Sequence, residues 1–101
     1  MFGKFGDMMG KLQEMKQKAD EIKRLLDEKT VRVDSAGGDI QLVITGNRKL
    51  KQLVIAPALQ HGDKLELEEQ LQVAFNKAIE MADKLNEEEM KKAATGLLPG
   101  L

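Results

Sequence analysis

SAGGDIQLVITGNRKLKQLVIAPAL, residues 35–59, is the stretch on which the fold turns. Ala36-Gly37-Gly38 reads as a turn, because glycine enters positive φ without steric cost. Asp39 to Thr45 alternates as a strand, with Ile40, Leu42 and Ile44 on one face and Val43 on the other. Gly46-Asn47 is a short-hairpin signal. Lys49 to Ile55 is the returning strand, with Leu53 and Ile55 on one face and Leu50 and Val54 on the other. Pro57 ends it, since proline has no N–H to give the ladder, and residues 58–62 read as loop. The hairpin is therefore apolar on both faces and basic at its tip, where Arg48, Lys49 and Lys51 lie.

Residues 30–35 also alternate, Val31 and Val33 against Arg32 and Asp34, and predict a first strand. Before it, Met8, Leu12, Met15, Ala19, Ile22 and Leu26 are spaced alternately by four and three. That is an unbroken a/d seam on a helix over 7–29, the signature of coiled-coil packing. Acid-to-base pairs at i,i+4 (Asp7–Lys11, Glu14–Lys18, Asp20–Arg24) run in the favourable orientation. After the hairpin, Asp63 followed by Glu66 resembles a capping box. It opens a helix with a wide apolar stripe through Leu67, Leu71, Ala74, Phe75, Ala78, Ile79, Ala82 and Leu85. Glu80–Lys84, Glu87–Lys91 and Glu88–Lys92 repeat the pairing device, and the helix runs to about Ala94 with a candidate break near Asn86. Residues 1–6 and 95–101 read as flexible tails. The result is one α+β domain over 1–101 in the order α-β-β-β-α, with a three-stranded antiparallel sheet and two long helices.

A sheet that is apolar on both faces needs cover on both sides, and the narrow seam of the first helix asks for a partner. A homodimer answers both demands and protects sheet edges as well. Its candidate interface residues are Met8, Leu12, Met15, Ile22, Leu26 and Val43. The alternative is a monomer with both helices on one face.

Composition bounds the chemistry. The chain has 101 residues, 42% hydrophobic and 33% charged, with net charge −1. It has no cysteine, so disulfides and thiolate metal sites are excluded, which fits a reducing compartment. No apolar run reaches membrane-spanning length. The N-terminal MFGKFGDMMGK has no continuous apolar core of a signal peptide. Charge is polarised mildly: residues 1–55 carry +3 and residues 56–101 carry −4. His61, the one histidine, sits in a polar loop and cannot by itself build a zinc site. Neither a phosphate-binding glycine loop nor a nucleophile elbow occurs. The expectation is a protein that is not an enzyme and has no cofactor, metal or small-molecule substrate.

The whole pattern resembles the YbaB/EbfC family of bacterial nucleoid-associated proteins. The likeness rests on the Met- and Lys-rich first helix, the Ala36-Gly37-Gly38 turn, Gly46 in the second turn, the LVIAPAL strand exit, LEEQLQVAFNKA opening the last helix and the terminal GLLPGL. It implies tweezer-like homodimers with protruding helices, a place in the cytoplasm and nucleoid, and binding to double-stranded DNA with low sequence specificity, with consequences for gene expression or nucleoid organisation.

Cations then become candidates for phosphate contact. With Leu12 at heptad position a, Lys11 and Lys18 fall at g, Lys16 and Lys23 at e, and Arg24 at f, whereas the acids fall at b and c. Lys11, Lys16, Lys18, Lys23 and Arg24 form one candidate DNA-binding set, and Arg48, Lys49 and Lys51 a second. The bland explanations are lysines snorkelling over the seam or pairing with acids of the last helix, and edge protection at the hairpin. No aromatic platform for single strands is present. The competing function is a non-enzymatic interaction module using the seam or the terminal apolar residues Phe2, Phe5, Leu97, Leu98 and Leu101.

Overall fold

A computed structural model describes the backbone of residues 2–97 and the side chains of residues 6–95. Helix α1 (Phe2–Glu28) leads into β1 (Thr30–Ser35), a tight turn over Ala36–Gly38, β2 (Ile40–Thr45) and β3 (Leu50–Ile55). One helical turn, α2 (Pro57–Gln60), precedes the long α3 (Lys64–Leu97). The α+β order expected from the sequence is the one observed, with an antiparallel sheet ordered β1-β2-β3. Four details differ. Pro57 not only ends β3 but starts α2, where its fixed φ suits a first helical position. α3 does not break at Asn86, whose side chain donates outward to the Gly46 carbonyl at 3.1 Å. The helices include residues 2–6 and 95–97, which the sequence reading leaves outside them. Gly3, Gly6 and Gly96 are poor helix formers but cost only about 1 kcal/mol each against alanine. The apolar tail residues Phe2, Phe5, Leu97, Leu98 and Leu101 lie outside the described side chains.

The fourth difference concerns the sheet. Val43 pairs with Gln52 and the next residue, Ile44, pairs with Leu50, so Lys51 is bulged out of the ladder. One extra residue inverts the alternation on its far side. Leu50 therefore shares a face with Ile44, Leu53 and Ile55 rather than with Val54. The other face carries Arg32, Asp34, Gln41 and Gln52 around Val43 and Val54. It is largely polar, so the expectation of a sheet apolar on both sides is corrected.

Helix α3 covers the apolar face. Its Ala74, Ala78 and Ala82, at intervals of four, are fully buried against Val33, Ile40, Leu42 and Ile44. Alanine lets the helix lie close on the branched side chains of the strands. The cover falls on β1 and β2. Beyond it, Leu50 and Leu53 on β3 remain 45% and 40% exposed.

Past the sheet, α3 continues and α1 runs back alongside it, antiparallel. Leu26 is buried at the base of this pair. Further out, Met15, Ala19 and Ile22 face Met90, Ala93 and Ala94 across an open groove. The first turns of α1 project farther still. The molecule measures 71 × 21 × 18 Å, with a radius of gyration of 19.9 Å. A compact chain of this length would have about 13 Å. The excess is the two-helix arm.

Candidate nucleic-acid interface

The hairpin tip is not free. Thr45 N–H donates to Lys49 O at 2.8 Å and Arg48 N–H to Thr45 O at 3.0 Å, closing a three-residue turn. The residue at positive φ is Arg48, at 65°, and not Gly46 or Asn47. Gly46 is needed for another reason: a Cβ there would lie 2.6 Å from Leu26 Cδ2. Asn47 then reaches across to α1, donating to Lys23 O at 2.9 Å and to Asp27 Oδ1 at 2.6 Å. With Asn86 bonded to Gly46, the turn is wedged between the two helices at the base of the arm.

This docking engages the tip's cations. Arg48 forms an ion pair and hydrogen bond with Asp83 of α3, and Lys49 Nζ lies 3.9 Å from Asp27 Oδ1. Lys51, the bulged residue, is exposed and has no ion pair among the described residues. Two of the three hairpin cations thus meet carboxylates of the same chain, more than the expectation of simple edge protection.

The α1 set is arranged differently. Every residue from 6 to 20 is exposed, as are Lys23 and Arg24. Lys18 Nζ lies 3.5 Å from Glu21 Oε2, both well exposed. Among the described residues, Lys11, Lys16, Lys23 and Arg24 have no carboxylate within ion-pair distance. None of the six i,i+4 pairs read from the sequence forms. The pairs observed within helices are instead Lys18–Glu21, Lys64–Glu68 and Lys92–Glu89. The two exposed ones, Lys18–Glu21 and Lys64–Glu68, gain so little that side-chain entropy decides between such pairs. Among the described residues, Lys11, Lys16, Lys18 and Lys23 make no ion pair with α3, and all four are exposed.

The candidate dimer residues separate along the seam. Leu26 is only 3% exposed within one chain, so the chain itself uses it. Ile22 is half-buried against α3 and Val43 half-buried among polar neighbours. Met8, Leu12 and Met15 are exposed.

One buried charge, which the sequence analysis does not single out, fixes the arm to the sheet. Glu89 is 6% exposed and accepts from Lys29 Nζ at 2.5 Å and Lys92 Nζ at 3.4 Å. The Lys29 hydrogen bond holds its carboxyl below the ordinary 4.5, against burial, which pushes it up; the charges of Lys29 and Lys92 add to the lowering. Nothing in EEEMKK distinguishes Glu89 from Glu87 or Glu88 except its heptad phase relative to Leu85 and Ala82. No cluster of His, Cys, Asp or Glu among the described residues could hold a metal ion. His61 is exposed at the end of α2. No described helix is long and apolar enough to cross a membrane.

Comparison with known proteins points the same way. The model of the YbaB/EbfC DNA-binding family matches residues 1–97. A nucleoid-associated protein of Ruminiclostridium cellulolyticum is 38% identical over 79 residues, 75% of this chain and 69% of that one. A nucleoid-associated protein of Chlorobium phaeobacteroides is 35% identical over 97 residues, 95% of this chain and 86% of that one. Among solved structures, an uncharacterized protein of Helicobacter pylori superposes with a TM-score of 0.64 at 24% identity, covering 86% of this chain and 98% of the other; that likeness concerns the fold.

Proposed function

The chain belongs to the YbaB/EbfC DNA-binding family, and from that premise we propose that it is a nucleoid-associated protein that binds double-stranded DNA with low sequence specificity, as a homodimer, through the cations of α1. The observation that carries this reading is the contrast between the two cationic sets. Arg48 and Lys49 meet Asp83 and Asp27, whereas Lys11, Lys16, Lys18 and Lys23 stand on a projecting helix, exposed. Ammonium groups contact phosphate as point charges, which supplies affinity without reading bases. No Arg, Asn or Gln array suited to base edges lies along the projecting face of α1. A bacterial nucleoid is the compartment this reading implies, and its process is DNA organisation or gene expression rather than catalysis.

Two arms serve a duplex better than one, and the monomer has a surface suited to joining two copies. Beyond the cover of α3, Leu50 and Leu53 of β3 are exposed, and so are Phe75 and Ile79 of α3. These two lie on the β3 side of α3, in the same row as Asp83, which meets the β2–β3 turn. Lys77, on the opposite side, donates to Asp34 O of β1. Edge strand and apolar flank together form the dimer interface of this reading.

The test is a gel-shift titration at several salt concentrations. Lys11, Lys16, Lys18 and Lys23→Gln should weaken binding about equally for all duplex sequences. The slope of log affinity against log salt should flatten by about 0.9 per lost contact. Neutralising Lys49 and Lys51 should do less. The reverse ranking would move the interface to the hairpin, and no effect from either set, in folded variants, would refute both placements.

A further inference from the structure

The projecting end of α1 presents an apolar stripe with cations on both sides. Met8, Leu12 and Met15 are 64%, 63% and 56% exposed. Nearer the sheet, α3 faces the same seam across an open groove, among the described residues as far as Met15; Met8 and Leu12 do not line that groove. On the heptad, Lys11 and Lys18 flank the stripe on one side and Lys16 on the other, all exposed. The acids of this segment, Asp7 and Glu14, fall at position c, away from it.

This arrangement decides between occupants. A second α1 laid on the stripe would set lysine rows against lysine rows, which disfavours a coiled-coil pairing of like helices. What fits is a ligand that is anionic along two edges and apolar between them. The DNA major groove has that character. It is about 12 Å wide and admits a helix, phosphates line both lips, and its floor carries one conspicuous apolar group, the thymine C5-methyl. The minor groove, about 6 Å wide, does not admit a helix.

Resting on the DNA-binding reading above, we propose that the N-terminal end of α1 enters the major groove and packs Met8 and Leu12 on pyrimidine C5-methyl groups. Lys11 and Lys18 hold the phosphates of one strand and Lys16 those of the other. Neither stripe side chain donates a hydrogen bond, and methionine adapts its shape. The readout is therefore of methyl groups rather than of a base sequence: a preference for thymine-rich duplex without a fixed site.

Fluorescence anisotropy on two pairs of duplexes tests this. One pair is A·T-rich with thymine or with uracil; the other is G·C-rich with cytosine or with 5-methylcytosine. Each pair differs by the C5-methyl and keeps its Watson–Crick hydrogen bonding. Uracil should weaken binding and 5-methylcytosine strengthen it, by about fourfold per contacted methyl, the factor for burying one such group. Met8→Gln with Leu12→Gln should abolish the methyl dependence and leave the salt slope unchanged, with helicity intact because both sites are exposed and glutamine is a good helix former. Equal affinities within both pairs, with duplex binding retained, would overturn this inference and leave the DNA-binding reading standing. Failure to bind any duplex would overturn both. A lower molecular mass for the double variant would also overturn it, by showing that the stripe joins protein to protein.

Discussion

Gly46 shows how a residue can be read correctly as important and wrongly as to why. Its place beside Asn47 suggests a turn that needs positive φ, but the turn spends its positive φ on Arg48. What Gly46 supplies is room, for Leu26 Cδ2 at 2.6 Å and Leu26 O at 3.3 Å from the position of its missing Cβ. The backbone carbonyl cannot swing aside as a methyl can, so Gly46→Ala must push α1 away from the hairpin. Overpacking of this kind costs about 1–3 kcal/mol, and urea denaturation should show that loss. Gly10→Ala is the contrast. Nothing lies within 4 Å of its would-be Cβ, and replacing a mid-helix glycine should gain up to about 1 kcal/mol. Equal effects at the two sites would mean that Leu26 does not pack on Gly46. Combining Gly46→Ala with Leu26→Ala should give less than the sum of the separate losses, because the second change removes Cδ2, the nearest of the Leu26 atoms the new Cβ would meet.

At the scale of elements, the base of the arm is held by charge as well as by Leu26. Lys29 follows α1, Glu89 and Lys92 belong to α3, and their contact ties both helices to the start of β1. A carboxyl whose folded-state value is lowered adds stability above its unfolded value and loses it as the pH falls through the folded one. Glu89 is such a group. Melting temperature should therefore fall as the pH drops below about 4.5, and Glu89→Gln should flatten that fall while lowering stability at pH 7. A variant with the acid dependence of the parent would locate it in other carboxyls.

The elements themselves are legible in sequence because periodicity is local: the spacing in α1, the alternation in β1 and β2, and Asp63, whose carboxylate caps α3 by accepting from Leu65 N–H at 3.0 Å. What is not legible depends on neighbours remote in sequence. The bulge at Lys51 returns Leu50 to the inner face, and no local signal distinguishes that register from the unbulged one. The docked hairpin tip depends on Asp27 and Asp83, which lie 20 and 35 residues from Asn47 and Arg48 in sequence and meet them only once the helices are in place. The exposed α1 lysines, by contrast, follow directly from heptad phase, so that half of the candidate site was visible from the sequence.

The whole molecule poses the question of assembly. One chain of 11.2 kDa builds an arm that stands clear of its sheet and leaves β3 as an uncovered edge. The outer sheet face is too polar around Val43 and Val54 to demand cover, so the pressure to associate falls on Leu50, Leu53, Phe75 and Ile79. An interface there would pair edge strands, place two α3 helices side by side and aim two arms outward from one base, the geometry a duplex-gripping dimer needs. Light scattering at micromolar concentration should give twice the chain mass. Leu53→Asp and Ile79→Asp should each halve it, because a charge placed in a buried interface has no partner, while the monomer tolerates charge at sites already 40% and 45% exposed. Val43→Lys, on the opposite face, should leave the mass unchanged. If Val43→Lys splits the dimer and the β3 variants do not, the two sheets meet through their outer faces instead. The arms then point differently, and the span between the α1 lysine rows has to be drawn anew.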